Sequence, residues 1–119
     1  MRILKVLVAM AACWCVALAS AAPMDEYEGM EKAAKAGDYQ AQRNLAYWLS
    51  GGYNGAPPLN AILACAWRIV ILESGNSRVD ASDVSNKQYY CGDKKLNADG
   101  LKAAQAQAKV LQKSGERAR

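Results

Sequence analysis

The stretch Ala61–Glu73 constrains the fold of this chain more than any other. Ahead of its closing Glu73 it carries a single charge, Arg68. Ile62, Cys65, Ile69 and Leu72 fall on one helical stripe, and Leu63, Ala66, Trp67 and Val70 on a second. A helix apolar on two sides hides both only when sandwiched between other helices. Its length and Arg68 argue against a membrane span. Asn60 is placed to cap its start.

The rest of the chain supplies those neighbours, since strand signals are scarce. Residues 25–36 open with Asp25, Glu26 and Glu28 and close with Lys32 and Lys35, the charge order a helix dipole favours. Tyr27, Met30 and Ala34 give that helix an apolar face. Gly37 ends it and Asp38 is a natural N-cap for a second helix over 39–50, striped by Ala41, Leu45, Trp48 and Leu49. Gly51 through Pro58 reads as a loop. A weaker helix is expected over 81–91, with Ala81, Val84, Gln88 and Cys91 facing inward. Asn97 caps the last, whose apolar face is Leu101, Ala104, Ala108 and Leu111. The expectation is an all-α fold of about five helices, a single domain over 22–113 with a polar tail, 114–119, that frays.

The N-terminus has the layout of a secretory signal. Arg2 and Lys5 precede an uncharged run from Val6 to Ala19, and Ala19-Ser20-Ala21-Ala22 offers a small-residue cleavage site, placed after Ala21. An uncleaved anchor helix and a lipid anchor at Cys13 are the alternatives. Removing 1–21 takes Cys13 and Cys15 away and leaves Cys65 and Cys91, an even number for an oxidising compartment. Both lie on inward stripes of helices that pair if antiparallel, so a Cys65–Cys91 disulfide is expected, two buried free thiols being the alternative. The destination is the periplasm or the exterior, with the bacterial periplasm favoured.

Composition narrows the function classes. The net charge of +4 falls further without Arg2 and Lys5, and no Lys/Arg cluster stands out, which argues against a nucleic-acid partner. The chain has no histidine, so the commonest general base and metal ligand are missing. Glu28 and Glu31 stand at i, i+3 and read as first-turn helix charges rather than paired catalytic acids. Gly51, Gly52 and Gly55 lack the Lys-Ser/Thr of a phosphate loop. No catalytic, cofactor or metal residue is nominated, and after signal removal no stable membrane span is expected. Tyr39, Arg43, Tyr47 and Tyr53 lie off the Leu45 stripe or in the loop, and are the residue types that recognition surfaces favour. They are the candidate partner-binding residues.

Residues 33–67 carry a further pattern. Ala33-Ala34-Lys35-Ala36-Gly37-Asp38, then Ala41-Gln42-Arg43-Asn44-Leu45-Ala46, then Asn60, Ala64 and Trp67 at helical spacing resemble one repeat of the Sel-one-like repeat family, a branch of the tetratricopeptide-like α/α repeats. Ala46 replaces a usual Gly, Asn60 a usual Asp and Leu49 a usual Tyr. The resemblance implies an antiparallel helical hairpin with additional C-terminal helices, and a protein partner held by an adaptor or scaffold. Members are frequently secreted or periplasmic. A short array also leaves an exposed end through which copies can associate. The competing readings are an inhibitor or immunity-type protein that neutralises an enzyme and, third, a small hydrolase.

Overall fold

A computed structural model of the chain describes residues 22–52 and 59–117. The signal segment, Cys13 and most of the Gly/Pro loop, including Tyr53, lie outside those residues. Five α-helices and no strand are present among the described residues: α1 (Ala22–Lys35), α2 (Tyr39–Tyr47), α3 (Ala61–Glu73), α4 (Ala81–Tyr90) and α5 (Ala98–Arg117). A wider turn, Trp48–Gly52, ends α2, and Gly51 (φ 111°) breaks it with backbone that side-chain-bearing residues rarely adopt.

Side chains that cannot continue the preceding structure start the helices. Asp38 Oδ1 accepts from the Ala41 N–H at 2.7 Å, Asn60 Oδ1 from the Leu63 N–H at 3.0 Å and Asn97 Oδ1 from the Gly100 N–H at 2.8 Å. Asp80 and Asp83 form a reciprocal capping box on α4. Gly37 (φ 102°) makes the left-handed turn between α1 and α2.

The sandwich demanded by α3 is realised. It packs against α2, α4 and α5, while α1 covers α2 and touches α5. From Ala64 to Ile71 every residue of α3 is buried. Leu45 and Trp67 fill the α2–α3 contact, where Ala41 and Ala64 are small enough to let the helices approach. Ala104, Ala108 and Leu111 of α5 close the other side. Tyr27 of α1 stacks on Trp48, ring centroids 6.5 Å apart. Burial first, then the charge and hydrogen bond of Glu31, push its phenol up to about 12. What that environment adds to stability is therefore complete below the ordinary phenol value and is lost as the pH climbs through the raised one.

Cys65 and Cys91 are joined by a disulfide with Cα atoms 5.0 Å apart, tying the start of α3 to the end of α4. The expected bond is thus present. Two other expectations change. The helix α5 continues past Gly115 to Arg117, with Ser114 Oγ donating to the Val110 carbonyl at 3.2 Å. More consequentially, α4 is rotated relative to the expected face. Val84 is 44% exposed, and Ala81 and Gln88 face solvent, whereas Asp83 is 1% exposed. In place of Val84 the Asp83 carboxylate turns inward, where Tyr39, the Asp80 N–H and Arg43 hold it from three directions and offset the cost of burying a charge.

Candidate protein-binding site

Both α2 and α4 lie on α3, and they meet each other through side chains. Tyr39 donates its hydroxyl to Asp83 Oδ2 at 2.6 Å, and the Asp80 backbone N–H donates to the same oxygen at 3.1 Å. Arg43 Nε stands 3.4 Å from Asp83 Oδ1, an ion pair whose angle falls short of a hydrogen bond. Arg43 and Arg78 both lie over the Tyr39 ring, at 5.6 and 4.9 Å from its centroid. Burial, followed by the hydrogen bond to Asp83, pushes the Tyr39 phenol up, which keeps it a donor. These groups are a brace that sets how far α4 stands from α2.

Next to the brace runs a groove floored by α3. At one end is a cavity of about 130 Å³, lined mainly by apolar atoms of Leu49, Leu59, Ala61, Ala64 and Tyr90, with Lys95 at its edge. Leu59 in its lining is 72% exposed, and Tyr47 and Tyr89, each close in the chain to a lining residue, are 53% and 52% exposed. Tyr89 and Tyr90 meet edge to face, 4.9 Å between centroids, and Lys95 Nζ sits 5.1 Å from the Tyr89 ring. One turn beyond Ala64 on the same side of α3 is Arg68, 5% exposed, with its Cζ 5.1 Å from the Tyr90 centroid. Tyr90 therefore has two neighbours, the apolar pocket that it lines and the buried Arg68 guanidinium that lies over its ring.

The four candidate residues fare differently. Tyr39 is corrected from surface to interior: it is 5% exposed, and its hydroxyl is spent on Asp83. Arg43 is half-buried in the same brace. Tyr47 is exposed near the groove, its ring packed on Gly52. Tyr53 lies outside the described residues. Sequence reasoning overlooked Leu59, Arg68, Tyr90 and Lys95. Arg68 had a signal, being the lone charge inside an otherwise apolar helix; the others are assembled by tertiary packing.

A larger cleft, about 230 Å³, lies on the opposite side of α3 near Trp67 and Leu111, between the ends of α1 and α5. Polar groups around it are already engaged: Gln112 donates to Glu73 at 2.5 Å, Gln42 to the Ala34 carbonyl at 3.0 Å and Lys35 to Glu31 at 3.1 Å. It offers a ligand little that is unmet. Among the described residues no three His, Cys, Asp or Glu side chains are grouped to hold a metal ion, and no helix is long and apolar enough to cross a membrane.

Fold and groove define an all-α, disulfide-stapled domain. No family model, curated protein or solved structure matches the chain.

Proposed function

We propose that this chain is an exported, non-catalytic module of the Sel-one-like type that binds another protein in the groove between α2 and α4. The observation that carries this reading is the apolar pocket lined by the exposed Leu59 and by Leu49, Ala64 and Tyr90, since rigid aromatic and aliphatic anchors around a desolvated pocket are how small binding surfaces gain affinity. The hairpin of α2 and α3, with its Asp38 and Asn60 caps and its buried Ala41, Leu45, Ala64 and Trp67, supports the repeat type. The Cys65–Cys91 bond supports an oxidising destination, the periplasm first among them.

The test is affinity capture from the exported fraction of the native host with the purified protein and with Leu59→Asp. Leu59 is so exposed that the substitution should leave helical content unchanged. A partner retained by the parent protein and lost with Leu59→Asp is the expected result. Equal retention by both would move the binding face elsewhere.

A further inference from the structure

We propose that the groove contains an anion subsite, in which an acidic side chain of the bound protein pairs with Arg68 while a neighbouring aliphatic side chain fills the Leu59–Tyr90 pocket. This rests on the groove being the binding face. Arg68 is the observation that asks for it. An arginine stays protonated in proteins, and a buried guanidinium without a carboxylate is expensive. Arg68 Nε is buried with no hydrogen-bond partner, and Arg68 makes no ion pair among the described residues. The nearest buried carboxylate, Asp83, is committed to Tyr39, the Asp80 N–H and Arg43. The Tyr90 face compensates in part, since a desolvated cation–π contact is a weaker partner than a carboxylate. Burial accordingly pulls the Arg68 pKa down from its ordinary value.

The chemistry of the occupant follows from the two halves of the groove. Arg43 is paired with Asp83 and also feels Asp80, whereas Arg68 and Lys95 have no ion pair among the described residues, so the missing charge is negative. A free inorganic anion would leave the adjoining apolar pocket empty, whereas a peptide segment can supply both groups. Ala64, on the pocket floor, and Arg68 are one helical turn apart, a rise of about 6 Å. Side chains two positions apart on an extended strand lie on the same side and about 6.8 Å apart. The preferred segment is therefore an aliphatic residue with Asp or Glu two positions away.

Selection of a random peptide display library on the purified protein tests this, followed by affinities for one enriched peptide, its Asp/Glu→Asn/Gln version, and the variant Arg68→Met. Methionine approximates the stem and removes only the unpaired charge, so the variant is expected to fold. Enrichment of the spaced pair is expected, with a loss of roughly thirtyfold or more when either charge is removed. Enriched apolar peptides with no acidic preference would overturn the subsite and leave the groove standing. Acidic peptides that bind Arg68→Met equally well would overturn the role of Arg68. Failure to enrich any peptide whose binding Leu59→Asp abolishes would overturn both. Should Arg68→Met not fold, the Asp/Glu→Asn/Gln comparison on the parent protein decides alone: equal affinity overturns the subsite.

Discussion

Asp83→Ala is expected to destabilise the protein by about 3–5 kcal/mol, the usual cost of removing one partner from a buried charge pair. The carboxylate is 1% exposed and joins Tyr39, the Asp80 N–H and Arg43; its loss orphans the Tyr39 hydroxyl, strips Arg43 of its counter-ion and opens half of the α4 capping box. Domains of this size have ~5–15 kcal/mol in total, so the variant should be near the limit of folding. Val84→Ala, one residue on, should change stability by well under 1 kcal/mol, because Val84 is 44% exposed. Urea midpoints for the pair measure both. The reverse order, with Val84→Ala the costlier, would mean that α4 buries the face its apolar residues suggest.

Loss of the Cys65–Cys91 bond comes next in size. Positions 26 apart close a loop worth about 3.5 kcal/mol in the chain-entropy model. Cys65→Ala and Cys91→Ala should therefore lower the melting temperature by similar amounts, about 4–8 °C per kcal/mol for a small domain. The double variant should cost little more than either single one. Thiol counting on the unfolded protein isolates the pair: neither Cys65 nor Cys91 should react before reduction and both should react after it. Reactive thiols at both positions in freshly isolated protein would contradict the bond. Because Tyr90 precedes Cys91 directly, the same bond also fixes the wall of the groove.

Much of this architecture is local and hence legible in the residues. Asp38, Asn60 and Asn97 cap where their side chains reach the next turn, and Gly37 turns where no other residue is comfortable. The double stripe of α3 requires flanking helices on both sides, whatever their order. Cys65 and Cys91 are the expected pair because they are the two cysteines left after the signal segment, and the bond joins them although the rest of the expected α4 stripe faces solvent. Periodicity failed at α4, where few apolar residues compete and a polar brace with a partner 44 residues away sets the rotation. Tyr39 read as surface for the same reason: its partner Asp83 is remote in sequence. The groove is less legible still, since Leu59 and Ala64 come from one stretch of the chain and Tyr90 and Lys95 from another. Arg43, Arg68 and Arg78 likewise look scattered and gather only around the Tyr39 and Tyr90 rings.

That the α2–α4 groove is the binding face is tested most directly by residue-resolved NMR of the labelled protein titrated with a selected peptide or the captured partner. Backbone and side-chain shifts should concentrate on Tyr47, Leu59, Ala64, Arg68, Tyr90 and Lys95, and leave Trp67, Leu111 and Gln112 at their free positions. Shifts centred instead on the cleft between α1 and α5 would contradict the account.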